Sequence, residues 1–317
     1  AMAAPLIGSL GELLVEFICT EKDGHNVRPA PYVGPFPSGA PGIFIDQAAK
    51  VGAQAIFAGA VGDDAFGQVV RDRLGASGVS ERLVRVVPGV PTGTAHVSYN
   101  SDGSRDFVFN IAHSAAARFP DGAEAVAAFL AAGLQVLHIS GSMLGDPDMR
   151  GRALAICRAL RDRTVAISID PNIRTELMAD AGYLDCVHEL MAMAAYVLPS
   201  DADAELLFPG QDFATWAPAL LSAGARVVAL KRGAAGCVPM DKAGACDRPG
   251  HAVAVADPTG AGDCFCATFV TLSAAGQPLA LALGRANAAG ALAVGKLGPM
   301  EGNSNLAQID AQKAAPS

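Results

Sequence analysis

The sequence predicts an α/β fold, a mostly parallel sheet flanked by helices with a small β-sheet lid. Three observations carry that expectation. Short apolar runs alternate with helical patterns of about 10–15 residues for most of the chain, the rhythm of βαβ units. Two segments, 13–36 and 91–111, break the rhythm with short alternation and turn signals. The composition, 317 residues with 51% hydrophobic and 17% charged, supplies ample apolar material for a large core.

Taken in order, strand-like runs lie at 5–10, 54–59, 83–87, 135–139, 165–169, 195–198 and 226–230. Helical patterns lie at 40–50, 64–75, 122–132, 148–161, 212–223, 261–275 and 279–294. Strands alternating with helices imply parallel pairing with both sheet faces covered. Residues 1–317 read as a single α/β domain. The segments 13–36 and 91–111 are expected to form a small antiparallel sheet projecting from it, with Asp102-Gly103 as a hairpin turn. Phe107 and Phe109 alternate onto one strand face, as the hydrophobic cover of a lid would require. The alternative is a surface hairpin packed on the body with no further role.

The formal charge of −8 argues against nucleic acid or an anionic membrane as the main partner. Cys19, Cys157, Cys186, Cys237, Cys246, Cys264 and Cys266 are odd in number, scattered, and never spaced C-x-x-C. They read as reduced thiols of a cytoplasmic protein. Cys264 and Cys266 invite a metal reading, but two thiols without a nearby His make a poor zinc set, and core packing is the simpler account. The start, AMAAPLIGSL, lacks the basic region and long apolar stretch of a signal peptide, and its first residues read as a cloning remnant. Residues 264–284 carry no charge, yet Gly276-Gln277-Pro278 reads as a turn between two buried helices, which argues against a membrane span.

The most informative segment is VAVADPTGAGDCFCATFV, residues 253–270. A β-rich run ends at Asp257, Gly260 and Gly262 follow, and an apolar helix starts at once. Glycines let backbone amides approach a ligand, and a helix N-terminus favours phosphate or charge developing on a transferred phosphoryl group. Asp263 is then placed to take a proton from an attacking hydroxyl. The alternative is that Asp263 only stabilises the first helical turn. Two other nucleotide-loop readings fail. GAGDCF has Phe265 where the dinucleotide fingerprint needs its third glycine, and the next acidic residue is Glu301. The stretch Gly290 to Leu297 fits G-x-x-x-x-G-K but ends in Leu297, without the magnesium-binding hydroxyl, and lies in a helical pattern.

DPTGAGD resembles the C-terminal signature of the ribokinase-like (PfkB-type) carbohydrate kinases, and the resemblance runs in order along nearly the whole chain. GELLVEF (11–17) is similar to the family's first strand, and SGAPGIFIDQAAKVG (38–52) to its substrate segment. GAVGDDAFG (59–67), DPNIR (170–174), ALKRGAAG (229–236) and ANAAGAL (286–292) fall where related motifs are expected. The resemblance implies a Rossmann-like body with a β-sheet lid, Asp263 as catalytic base, and the amides of Gly260, Ala261 and Gly262 as an anion hole. It implies sugar contacts for Glu16, Gly39, Asn172 and Arg174, and nucleotide contacts for Lys231, Gly233 and Asn287. Asp203 is implied as a metal-associated carboxylate. ATP and Mg2+ are implied as cofactors, with a monovalent cation such as K+ near Asp257 and a homodimer formed through the lid.

For several of these a plainer role stays open: Glu16 as a lid-edge charge, Arg174 as a surface cation, Asn287 as a core amide. Two departures bear on specificity. Ser38 replaces the first of two family glycines, and Ile43 stands where a sugar-binding Asn is common. The metal segment reads Ser200-Asp-Ala-Asp203, where Asp203 could still serve through water, and the phosphoryl step is expected to need magnesium carried mainly by ATP. GPFPSGAP (34–41) with DGSRDFVFNIAHSA (102–115) looks most like the tagatose kinase branch of the ketohexose kinases. Fructokinase, 2-keto-3-deoxygluconate kinase and nucleoside kinase are the near alternatives. A sugar- or nucleotide-binding regulator without turnover and a nicotinamide oxidoreductase are the distant ones.

Overall fold

The structure, a computed structural model, describes residues 3–118, 121–251 and 253–314. Ala1 and Met2, part of the N-terminal reading above, lie outside the described residues. In chain order the elements are β1 (Leu6–Leu10), β2 (Leu14–Cys19), β3 (Tyr32–Ser38), α1 (Ala40–Lys50), β4 (Gln54–Gly62), α2 (Ala65–Ala76) and β5 (Ser80–Val87). The hairpin β6 (Gly93–Tyr99) and β7 (Arg105–Asn110) follows, then α3 (Gly122–Ala132), β8 (Val136–Ser140), α4 (Pro147–Arg161), β9 (Ala166–Asp170) and α5 (Ala181–Met193). The rest comprises β10 (Tyr196–Val197), α6 (Asp201–Leu207), α7 (Phe213–Ala223), β11 (Val227–Lys231), β12 (Cys237–Asp241), β13 (Gly244–Ala245), α8 (Ala261–Ala274), α9 (Leu279–Ala293) and α10 (Leu306–Ala314).

Nine strands form one sheet in the order β13-β12-β11-β10-β9-β8-β1-β4-β5, and every pair from β11 to β5 is parallel. Only β12 and β13, added at one edge, run antiparallel. The strands are apolar nearly throughout because both faces are covered. On β4, Ile56 and Ala58 pack into one core with Phe129, Ile156 and Val187 of α3, α4 and α5. Their neighbours Ala55, Phe57 and Val61 pack into the other, with Phe44, Phe265 and Phe269 of α1 and α8. Since all these strands point the same way, their carboxyl ends share one rim of the sheet, and the site assembles on that rim.

The lid is a separate four-stranded sheet in the order β3-β2-β6-β7. It is not wholly antiparallel as expected. β2 pairs antiparallel with β3 and β6 with β7, but β2 and β6 pair parallel, Leu14 to Gly93 through Ile18 to Val97. The reason is topological: β2 and β6 are joined by a crossover through β3, α1, β4, α2 and β5, and a long connection permits parallel pairing. The turn at Asp102-Gly103 is as read, with Gly103 at φ 86° and its amide donating to Asn100 O at 3.0 Å.

A second expectation is corrected before Asp257. The run 253–257 is not a strand of either sheet. The amides of Ala256 and Asp257 donate instead to Val294 O at the end of α9, at 2.7 and 3.1 Å, so the loop is anchored to a helix. Helix α5 was not among the expected helices, although Tyr183, Cys186, Val187, Leu190 and Met191 give it a buried stripe. All seven cysteines are free, and Cys264 and Cys266 are buried in α8. Among the described residues no helix is long and apolar enough to cross a membrane.

Candidate functional site

The chain leaves β1 towards β4 on one side and reaches β8 on the other side only much later. The strand order therefore reverses between β1 and β8, and the loops that follow these two strands diverge. In open α/β sheets a ligand crevice lies at such a point, beyond the carboxyl ends of the strands. A cavity of about 550 Å³ occupies it. Glu12, Ser142, Asp170, Asn172, Arg174 and Lys231 line it from the ends of β1, β8, β9 and β11, and the first turn of α8 lines it with Gly260, Gly262 and Asp263. The lid supplies Glu16, Ser38, Arg105, Phe107 and Phe109.

Helix α8 begins on Gly260, whose φ of 86° is left-handed, and a Cβ there would lie 2.7 Å from Pro299 O. Both facts call for glycine. No side chain caps this helix, and Gly260 and Gly262 of its first turn line the cavity. Asp263 is the third residue of the helix and only 9% exposed, with its carboxyl group in the cavity. A helix N-terminus favours an ionised carboxylate, yet burial outweighs this. With the negative charges of Asp170 and Glu12 adding to burial against Lys231 and Arg174, the Asp263 pKa is pushed up to about 8. A carboxyl poised this close to neutrality can take and return a proton.

Beneath the same turn, Lys231 Nζ lies 2.6 Å from Asp170 Oδ2, and 3.3 Å from where a Cβ on Gly262 would stand. Burial opposes the ammonium charge, but Asp170 more than offsets it and the Lys231 pKa is raised. A buried positive charge thus sits directly below the amides at the start of α8.

On the lid side, Glu16 Oε2 accepts from Ser38 Oγ at 2.9 Å, while Oε1 is buried and has no partner. Burial pushes the Glu16 pKa up to about 7, with the Ser38 hydroxyl pulling the other way. The serine that departs from the family's glycine therefore fixes this glutamate. Gly39 has φ 103°, and a Cβ there would meet Glu12 O at 2.4 Å, so the chain can pass this point only as glycine. Ile43 gives the cavity an apolar wall. Asn172, at φ 39°, donates from Nδ2 to Ser140 Oγ at 3.3 Å. The Arg174 guanidinium lies 5.8 Å from the centre of the Phe109 ring, and that of Arg105 lies 5.4 Å from Phe107. The two rings stack at 5.0 Å, so this wall alternates cation and aromatic face.

Of the remaining expected residues, Asp203 lines the cavity, while Asn287 and Gly233 lie outside it. Asp203 is a helix cap: Oδ1 accepts from Ile173 N at 2.8 Å and Oδ2 from Ser200 N at 3.0 Å, while Ser200 Oγ accepts from Asp203 N. Each oxygen accepts one backbone amide, so Asp203 also supports the Asn172–Arg174 loop from the cavity wall. Among the described residues no group of three or more His, Cys, Asp or Glu is arranged to hold a metal. Asn287 does not line the cavity, because its Nδ2 donates to Pro249 O at 3.1 Å and so ties α9 to the 248–249 segment. Gly233 also lies outside it, in the short turn 233–235 after β11, with open space where a side chain would stand. Lys231, expected with Gly233, instead reaches back under the start of α8.

Three contributors were not expected. Glu12 and Ser142 lie on the floor, joined by a hydrogen bond from Ser142 Oγ to Glu12 Oε1. Tyr99, at the end of β6, donates its hydroxyl to Asp257 Oδ1. That oxygen also accepts from Thr259 N at 2.9 Å, and Oδ2 accepts from Gly298 N at 3.1 Å. The lid is thereby tied to the loop that leads into α8.

Residues 5–306 match the family described as pfkB family carbohydrate kinase. The chain is 32% identical over 279 residues to a fructokinase of Klebsiella pneumoniae, covering 83% of this chain and 87% of that protein. It is 31% identical over 304 residues to a 2-dehydro-3-deoxygluconokinase of Thermoproteus tenax, covering 92% and 89%. Among solved structures it is similar to an E. coli protein assigned provisionally as Ribokinase II, in complex with ATP and Mg2+. There the TM-score is 0.89 at 33% identity, covering 97% of this chain and 98% of that one.

Proposed function

We propose, starting from the fact that this chain belongs to the pfkB family of carbohydrate kinases and is an ATP-dependent sugar kinase, that its acceptor is a ketohexose-type sugar, D-fructose or D-tagatose. The observation that carries the reading is the placing of Asp263. A buried carboxyl with its pKa near 8 shares one cavity with uncapped helix amides and with a sugar-sized set of polar groups. In this reading Asp263 accepts the proton of the attacking hydroxyl. The amides of Gly260, Ala261 and Gly262, with Lys231 below them, stabilise charge on the group in transfer. Glu16 accepts hydrogen bonds from acceptor hydroxyls, and the glycine at 39 lets the sugar approach the backbone.

Magnesium bound to ATP needs only one or two protein oxygens. The residues fit that modest demand, because the carboxylates of Asp170 and Asp203 both line the cavity. The magnesium would supply charge neutralisation on the phosphates. Asp257, whose oxygens accept from Tyr99, Thr259 and Gly298, would steady a nearby K+ by its charge. A second acceptor class, a 2-keto-3-deoxy sugar acid, is favoured by one observation: Arg105 and Arg174 both reach the cavity, where a substrate carboxylate could meet them.

An ADP-release assay with magnesium, ATP and a panel of ketohexoses, keto-deoxy acids and nucleosides tests the reading. The expected result is fastest turnover with a ketohexose; turnover confined to the sugar acid or to nucleosides would overturn it. Glu16→Ala should raise the acceptor KM by about 10- to 100-fold, the cost of a lost charged hydrogen bond, with ATP affinity retained. Calorimetry showing unchanged acceptor affinity would reduce Glu16 to a lid-edge charge.

The lid should close further over the acceptor. Phe109 is 44% exposed although it lines the cavity, so cover remains to be gained. Excluding water prevents hydrolysis of the nucleotide in place of transfer. Amide exchange across 91–111 should therefore slow when acceptor is added, with smaller changes elsewhere on the surface. Equal protection with and without acceptor would mean that the lid is fixed.

A further inference from the structure

Glutamates 12 and 16 stand four residues apart in the segment that runs from the end of β1 into β2. Each has one carboxylate oxygen pinned by a serine hydroxyl, Glu12 by Ser142 and Glu16 by Ser38. Each has its other oxygen, Glu12 Oε2 and Glu16 Oε1, buried with no hydrogen bond to another residue. Both line the one cavity. A buried carboxylate oxygen with nothing to bind costs roughly 1–3 kcal/mol or more, so two of them in one cavity point to a ligand that completes them. Glu16 is already accounted for by its likeness to a sugar-contacting position. Glu12 is not.

Its surroundings show that it is held in place. Glu12 is 6% exposed and lies where the loops after β1 and β8 diverge, at the bottom of the crevice. Ser142, which holds it, is bonded in turn to Ser140 Oγ at 3.0 Å, and Ser140 accepts from Asn172 at 3.3 Å. The chain Glu12–Ser142–Ser140–Asn172 links the ends of β1, β8 and β9, which fixes the direction of the free oxygen. Glu12 and Asp263 line the same cavity, and the charge of Glu12 adds to what raises the Asp263 pKa. Two rigid acceptors of hydrogen bonds, one on the lid and one on the floor, can read the relative placing of two hydroxyls, which a single one cannot.

We infer that Glu12 is a specificity-determining residue, its free Oε2 accepting a hydrogen bond from a hydroxyl of the acceptor sugar other than the one Glu16 holds. This rests on the sugar-kinase reading but not on which sugar is the substrate. Glu12 then discriminates epimers, because a hydroxyl turned to the other face of the ring leaves Oε2 without a partner.

The test uses the whole chain and whichever acceptor the wild-type enzyme turns over fastest, together with that sugar's epimers. Failure of the ketohexose reading would appear in the wild-type panel, before any variant is made. Glu12→Gln keeps size and packing but turns a carboxylate into an amide. The expected result is an acceptor KM raised about 10- to 100-fold, a wild-type ATP KM, and a preference between epimers that collapses by at least about tenfold. Ser142→Ala, which releases the pinned oxygen, should erode the same preference more weakly, and thermal melting of both variants reports whether the fold is intact. If folded Glu12→Gln keeps the wild-type acceptor KM and epimer preference, Glu12 is a structural carboxylate and the inference fails. A fall in kcat alone, with KM and preference unchanged, would also overturn it, since Glu12 would then act only through Asp263.

Discussion

Asp263→Asn should lower kcat by about 10²–10⁴, the usual worth of general-base assistance, while leaving the affinity for ATP close to wild type. The amide is nearly the same size and keeps the first turn of α8 packed, but it cannot accept the proton of the attacking hydroxyl. What distinguishes this from mere disturbance of the helix is the pH dependence. The base works only when ionised, and burial holds its pKa at about 8 in the free chain. Wild-type kcat/KM should therefore rise with pH through that region and level off above it, since the fraction of ionised Asp263 rises in the same way. In Asp263→Asn that limb should vanish along with most of the rate. A variant retaining more than a tenth of wild-type turnover, with chemistry rate-limiting, would exclude Asp263 as the base.

The site was legible in the sequence wherever its parts are local. Gly260, Gly262 and Asp263 lie within four residues, and a strand-like run, two glycines and an apolar helix suffice to bring them to one cavity. The helix proved right even though the run before it is no strand, because the glycines and the helix carry the argument alone. The capping pattern Ser200-x-x-Asp203 is equally local, since Ser followed three residues on by an acid is an ordinary start of a helix. What could not be read is pairing across distance. Lys231 and Asp170 are 61 residues apart, and neither segment indicates the other. The parallel contact of β2 with β6 likewise depends on the path of the crossover between them, not on either strand's residues. Glu12 was in plain view in GELLVEF, one position after a glycine, but a carboxylate next to a strand end is common. Only the depth of the crevice and the unpartnered oxygen mark it out.

The largest structural effect is expected from Lys231→Met, which removes one half of the buried pair and leaves the other. Methionine fills much the same space as the lysine stem, so packing around β11 and α8 is retained and the loss is electrostatic. Asp170 is 4% exposed, and its Oδ2 is held by the ammonium at 2.6 Å. Removing one partner of such a pair typically costs about 3–5 kcal/mol. The sign of the pH dependence follows from Asp170. Burial already raises its pKa above the ordinary carboxylate value, and Lys231 is what opposes that rise. Without the lysine the folded-state pKa climbs further above the unfolded one, so the folded chain binds the proton more tightly. The variant should then be least unstable at acid pH, where Asp170 is neutral in both states, and should lose stability as pH rises towards the raised pKa. Urea midpoints at several pH values measure this, and Lys231→Met combined with Asp170→Asn should recover much of the loss. Equal stability of wild type and Lys231→Met at neutral pH would mean that Asp170 finds another cation or water, and that the charge beneath the α8 turn is not held by this pair.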